Sequence, residues 1–87
     1  MINVNVDNQI ISRVTETLLF IDKNPNNNIR KISKELEIDY NYVAKIVERC
    51  EEKGLIDTKL VSRERLVTLT EKGATITNYF KQIKELL

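Results

Sequence analysis

The chain has 87 residues and a mass of 10.2 kDa, a length that predicts one compact domain over residues 1–87. Its 14 Lys and Arg residues balance 13 Asp and Glu residues, so the net charge of +1 points to neither nucleic acid nor an anionic membrane as a partner. Because the sequence has no His and one Cys, it lacks a Ser-His-Asp triad, an imidazole metal ligand and an intrachain disulfide, and we expect no enzyme activity, cofactor or metal site.

The first helix is predicted over residues 8–23, where apolar residues recur at three- and four-residue steps. These apolar positions are Ile10, Ile11, Val14, Leu18 and Ile21. Asp7 or Asn8 is the candidate N-cap, and the Asn-rich segment 24–28, which contains Pro25, is predicted to be a loop. Residues 1–7 form an N-terminal arm, whose alternating Ile2, Val4 and Val6 suit either a β-arm in a dimer or a frayed end.

Two helices follow at residues 29–37 and 40–53, joined by a tight connection. Asp39 is the predicted N-cap of the second of these, and Gly54 suits the left-handed residue that closes a helix. Their predicted inward residues are Ile29, Ile32 and Leu36 on the first helix, and Val43, Ile46, Val47 and Cys50 on the second. Cys50 continues an apolar stripe, so we predict a small buried hydrophobe and not a redox or metal site.

From Leu55 the apolar period changes to alternation, which predicts a β-hairpin over residues 55–69. Its turn, residues 62–65, has no Gly or Asn, and this favours a four-residue loop around a type I turn over a two-residue turn. Thr70 is predicted to cap a last helix over residues 71–87. The apolar stripe of that helix is Ile76, Tyr79, Phe80, Ile83, Leu86 and Leu87.

Three segments together resemble a winged helix-turn-helix of the MarR type: LEIDYNYVAK at 36–45, EEKGLI at 51–56 and LTEKG at 69–73. The resemblance extends over residues 29–73 and implies an α+β, mostly helical fold of three helices, a two-stranded wing and a C-terminal helix. The helix-turn-helix would be residues 29–53 and the wing residues 55–69. Many such domains have Gly in the turn between the helices, and Glu37 stands there in this chain, so we expect a slightly different turn.

The resemblance implies that the front of the third helix enters the DNA major groove. Asn41 can pair with adenine, Lys45 can reach guanine or phosphate, and small Ala44 allows contact with a thymine methyl group. Tyr40 and Tyr42 complete the expected base contacts, although both rings could instead pack on the first helix or the hairpin. The expected contacts with the DNA backbone are Arg30, Lys31, Lys34, Arg49, Lys59, Arg63 and Arg65.

The apolar stripe of the last helix exceeds what a core of this size covers, so we expect the helix at residues 71–87 to mediate a homodimer. A two-fold dimer would present two recognition helices about 34 Å apart, the spacing of successive major grooves. The alternative is a monomer whose last helix folds back over its own core.

No membrane partner is expected, because the longest stretch without a formal charge, residues 73–80, is too short to span a bilayer. The N-terminus lacks the basic start and apolar core of a secretory signal, which predicts a cytoplasmic protein. The predicted function is a sequence-specific double-stranded DNA-binding transcriptional regulator that represses by occluding a promoter. The alternatives are a winged-helix protein-interaction module without DNA affinity and a repressor gated by a ligand at the dimer interface.

Overall fold

The computed structural model describes the backbone of residues 5–86 and the side chains of residues 12–86. Its elements are α1 Asn5–Lys23, β1 Asn27–Asn28, α2 Ile29–Leu36, α3 Tyr40–Glu52, β2 Ile56–Val61, β3 Glu64–Leu69 and α4 Glu71–Leu86. The predicted α+β, mostly helical order of elements is confirmed, with one strand added. Within the described residues, none of the helices has both the length and the apolar character needed to cross a membrane.

Helix α1 begins at Asn5 and not at the predicted Asn8. The predicted N-caps Asp7 and Asn8 therefore lie inside the helix, and Val6, which the β-arm interpretation placed in a strand, is helical. Residues 1–4, with Ile2 and Val4, lie outside the described residues, as do the side chains of residues 5–11, Ile10 and Ile11 among them. The prediction is correct at the other end, where the helix stops at Lys23.

The Asn-rich segment after α1 contains a strand that was predicted to be a loop. Asn27 and Asn28 form β1, which pairs antiparallel with Val67 and Leu66 and gives a three-stranded sheet in the order β1–β3–β2. Asn has low β propensity, so this pairing depends on a partner strand almost 40 residues away and not on local preference.

The turn between α2 and α3 keeps a left-handed residue without using glycine. Glu37 has φ 55° and ψ 42°, the left-handed conformation that glycine adopts more readily. Such a conformation costs a non-glycine residue about 1–2 kcal/mol. It is offset by the burial of Ile38 and by two hydrogen bonds between Ser33 and Ile38: the Ile38 amide donates to the Ser33 carbonyl at 3.1 Å, and the Ser33 hydroxyl donates to the Ile38 carbonyl at 2.5 Å.

The hairpin is tighter than predicted. Strands β2 and β3 are joined by Ser62 and Arg63 alone, and both have positive φ, 48° and 71°. Positive φ at both central residues is typical of a type I′ turn, whose twist matches that of the flanking strands. The predicted type I loop is therefore wrong, and Glu64 and Arg65 belong to β3, where they pair with Val61 and Leu60.

One apolar core joins α1, α2, α3 and the sheet. Its buried members are Leu18, Ile21, Ile29, Ile32, Ile38, Val43, Ile46, Val47, Cys50, Leu55, Ile56 and Val67. The predicted inward faces of α2 and α3 supply half of this set, with Leu36 partly buried against it, and the prediction that Cys50 is a buried hydrophobe is confirmed. Two polar side chains, Thr17 and Thr77, are also fully buried, and each donates its hydroxyl to the carbonyl one helical turn earlier.

Helix α4 begins at a contact with the end of α3. The Thr70 hydroxyl accepts from the Gly73 amide at 3.0 Å, which confirms the predicted cap, and it donates to the Gly54 carbonyl at 2.6 Å. Gly73 lies so close to Leu55 that an added Cβ would be 1.9 Å from the Leu55 carbonyl oxygen. The first turn of α4 therefore packs directly against the backbone that leads into β2.

We predict that Gly73→Ala lowers the free energy of unfolding by about 1–3 kcal/mol, because the methyl group forces α4 away from Leu55. In a helix without this contact the same change is stabilising by about 1 kcal/mol, so the sign of the effect tests the contact. Urea denaturation measures it, with Asn78→Ala on the exposed side of α4 as the control. An unchanged or raised urea midpoint for Gly73→Ala would show that α4 is not held at this distance.

Candidate nucleic-acid interface

Helix α3, the predicted recognition helix, is fixed by its apolar face. The Asp39 carboxylate accepts from the amides of Asn41 and Tyr42 at 3.0 and 3.3 Å, so the helix begins where it was predicted to begin. Val43, Ile46, Val47 and Cys50 are buried. With 3.6 residues per turn, this burial turns Asn41 and Lys45 directly outward, and both are exposed.

The five residues expected to contact bases fall into separate groups around α3. Asn41 and Lys45 lie on the outward face, and Tyr42 lies beside them with 41% of its surface exposed. Tyr40 and Ala44 lie on the side of α3 that faces α2 and the wing, and Ala44 is partly buried against the core. Tyr40 remains 48% exposed beside Arg65 of the wing. The outward group is thus more accessible to a ligand than Ala44.

A cleft of about 340 Å³ separates the start of α2 from the wing. Three of the side chains expected to contact the DNA backbone, Arg30, Arg63 and Arg65, line this cleft together with Tyr40. Glu64 is the acidic side chain among them, and its carboxylate accepts a hydrogen bond from the Asn28 amide at 3.2 Å. The cleft therefore collects three guanidinium groups at the N-terminal end of α3, a composition that suits phosphate.

Two other expected backbone contacts, Lys31 and Lys34, lie exposed on α2. Lys59 and Arg49 are placed differently. Lys59 pairs with Leu66, and successive strand residues point to opposite faces, so it lies on the face of the wing opposite to Thr58. Arg49 is exposed in the last turn of α3. The structure brings neither of these side chains to the cleft.

The wing is attached to α3 by a chain of hydrogen bonds. The Thr58 hydroxyl donates to the Glu51 carboxylate at 2.7 Å, and the Arg65 guanidinium reaches the Thr58 oxygen at 3.5 Å. On the opposite face of the sheet, the side-chain amide of Asn28 in β1 makes two hydrogen bonds. Its oxygen caps α2 by accepting from the Lys31 amide at 2.7 Å, while its nitrogen donates to Glu64.

Sequence reasoning missed these positioning residues. Asn28 directly precedes an amphipathic helix, which is a recognisable N-cap pattern. Nothing local in the sequence marks Thr58 or Glu51, because their contact joins the end of α3 to the middle of β2 and depends on the register of the hairpin.

Helix α4 divides its predicted stripe between the core and solvent. Ile76 and Phe80 pack against the core of the same chain, whereas Tyr79, Ile83 and Leu86 are 59%, 53% and 86% exposed. Leu87 lies outside the described residues.

The packed side of α4 is tied to α1 by an ion pair between Lys81 and Asp22, with a nitrogen–oxygen distance of 2.5 Å. Beside this pair, a groove of about 510 Å³ between the two helices is lined by Leu19 and Phe20 and by charged side chains.

Cys50 is a free cysteine buried beneath α3. Burial raises the pKa of its thiol above the ordinary value of 9.0, and the neighbouring Lys53 ammonium acts in the opposite direction. The thiol therefore stays protonated at neutral pH. Among the side chains of residues 12–86, no three His, Cys, Asp or Glu residues are grouped to hold a metal ion.

Comparison with known proteins relates this geometry to a fold. A family described as winged helix-turn-helix DNA-binding matches residues 16–57, which include α2, α3 and the start of the wing. The chain has the winged helix-turn-helix fold, which it shares with a MarR transcriptional regulator of known structure. No curated protein sequence matches it significantly.

Solved structures share the winged-helix fold at low sequence identity. FabT from Streptococcus pneumoniae, solved in complex with DNA, is 26% identical over 85% of this chain and 54% of its own, with a TM-score of 0.77. A protein from Archaeoglobus fulgidus is 24% identical over 86% of this chain and 87% of its own, with a TM-score of 0.80. A MarR transcriptional regulator from Methanosarcina mazei Go1 is 24% identical, covers 83% and 49% of the two chains and has a TM-score of 0.78.

The chain thus spans about half the length of FabT and of the Methanosarcina regulator, and most of the Archaeoglobus protein.

We predict that Thr58→Val loosens the wing without unfolding the chain. The substitution removes both hydrogen bonds of the Thr58 hydroxyl, and an exposed network of this kind contributes only about 1 kcal/mol to stability. Amide hydrogen exchange of residues 60–65, followed by NMR, is expected to become several-fold faster. Thr68→Val makes the same chemical change on the opposite face of the wing and is the control. Equal exchange rates in the two variants would show that Thr58 does not hold the wing.

Proposed function

We propose that this chain binds double-stranded DNA in a sequence-specific manner and regulates transcription. The recognition helix α3 would enter the major groove with Asn41 and Lys45 towards base edges, and the wing would meet the adjacent minor groove. The observation that carries the proposal is the cleft at the start of α3, where Arg30, Arg63 and Arg65 lie together. The DNA complex of FabT, a structure of the same fold, supports it.

Because the chain is nearly neutral, the proposal depends on where its basic side chains lie. A net charge of +1 gives no long-range attraction to DNA, so affinity has to come from local contacts with phosphate. Arg30 and Lys34 on α2 and the guanidinium groups of the wing supply such contacts, whereas Glu48 and Glu52 occupy the outward side of the C-terminal half of α3. Only the N-terminal half of the recognition helix is therefore suited to lie close to DNA.

We further propose that the regulator is a homodimer that represses by occluding a promoter. Tyr79, Ile83 and Leu86 form an exposed apolar stripe along α4, on the side that its own core leaves uncovered. Packing of this stripe against the same stripe of a second copy would remove it from water and place two recognition helices on one side of a palindromic site.

The first test of the function is fluorescence anisotropy of a labelled random-sequence duplex at two salt concentrations. Micromolar binding that weakens steeply with salt is expected for a surface that displaces counterions from phosphates. A folded protein that shows no binding at low salt would contradict the proposal and favour a protein-interaction module.

Two substitutions separate base contacts from phosphate contacts once a preferred site has been selected. Lys45→Ala is expected to weaken binding and change the preferred sequence, because the side chain lies on the outward face of α3. Arg63→Ala is expected to weaken all sequences equally and to lower the salt slope by about one unit. Equal losses on the selected site and on random DNA for both variants would refute this division.

The dimer is tested by light scattering on two lysine variants of α4. Ile83→Lys places a charge in the exposed apolar stripe and is expected to give a monomer. Asn78→Lys adds the same charge on a different exposed face of the helix and is expected to leave the dimer intact. A monomeric mass for the unmodified chain, or a dimeric mass for Ile83→Lys, would contradict an interface at this stripe.

A further inference from the structure

Leu60 is the most exposed large apolar side chain of the wing, with 70% of its surface accessible. It is the second-last residue of β2, so its side chain lies next to the turn formed by Ser62 and Arg63. Single exposed leucines are common on protein surfaces, and exposure alone assigns nothing. The neighbours of Leu60 on its face of the hairpin are what distinguish it.

The register places Leu60 on the face of the wing that is turned towards α3. Residues directly opposite each other in an antiparallel pair share a face, and the pairs on this face are Ile56–Leu69, Thr58–Val67 and Leu60–Arg65. Ile56 and Val67 are buried in the core, and Thr58 is bonded to Glu51 at the end of α3. Leu60 thus continues the inner face of the wing beyond the point where the core ends.

The two faces of the wing differ in charge near its tip. On the inner face, Leu60 is paired with Arg65, and Arg63 follows in the turn. On the outer face, Lys59 is paired with Leu66, and Val61, which is also exposed, is paired with the acidic Glu64. A polyanion brought against the inner face meets Leu60 beside the Arg65 guanidinium, whereas against the outer face it meets the Lys59 ammonium together with the Glu64 carboxylate.

We infer that Leu60 enters the minor groove of bound DNA as an apolar specificity contact, with Arg63 and Arg65 directed to the flanking phosphates. This inference rests on the proposed function, because it takes α3 to occupy the adjacent major groove. Minor-groove proteins use leucine among the apolar side chains that enter between base steps, and a narrow A·T-rich groove attracts arginine. Leu60 would therefore favour A·T-rich, deformable steps beside the sequence that α3 reads.

The test compares the unmodified chain with Leu60→Ala and Val61→Ala on an A·T-rich duplex, by anisotropy, with and without netropsin occupying the minor groove. Leu60→Ala is expected to raise Kd about five-fold on the open duplex, as loss of a partly buried leucine contact does. With the groove occupied, its Kd is expected to match that of the unmodified chain. Val61→Ala removes an exposed apolar side chain from the outer face, where 41% of its surface is accessible, and is expected to behave like the unmodified chain in both conditions.

The outcomes separate this inference from the function on which it rests. An unmodified chain with no salt-dependent binding would overturn the proposed function and the Leu60 contact with it. Salt-dependent binding that Leu60→Ala leaves unchanged, or weakens by the same factor when netropsin fills the groove, would overturn the Leu60 contact alone. Thermal denaturation of the two variants is expected to coincide, since neither side chain belongs to the core.

Discussion

The burial of one face of α3 determines what the rest of the molecule can present. Val43 and Val47 are almost inaccessible beneath the helix, and their packing against α2 and the sheet fixes its rotation about its own axis. A rotation by one residue would bury Lys45 or expose Val43, and either change is costly. The outward position of Asn41 and Lys45 therefore follows from apolar packing on the other side of the helix.

The sequence predicts well those features that depend on local physics. The bounds of α3 follow from the Asp39 cap and from Gly54, which has φ 76°, and the inward faces of α2 and α3 follow from helical spacing. The cap at Thr70 is of the same kind. At each of these places the residue type and the local backbone conformation agree.

Features that depend on distant partners were missed. Strand β1 consists of two asparagines and forms because β3 lies beside them. The hairpin turn is formed by Ser62 and Arg63 at positive φ, a conformation that neither residue favours and that the pairing of β2 with β3 imposes. Because the turn has only two residues, Arg65 belongs to β3 and not to the predicted turn, and its guanidinium lies beside Thr58. The types of residue at the candidate interface could thus be read from the sequence, while their grouping around the cleft could not.

Asn28 links the wing directly to the helix-turn-helix. One side-chain amide caps α2 and holds Glu64, while the backbone of the same residue pairs with Leu66. A displacement of the wing at Glu64 or Leu66 would therefore act on the hydrogen bond that caps the first turn of α2. Asn28 thus couples the position of the wing to the hydrogen bonding at the start of α2.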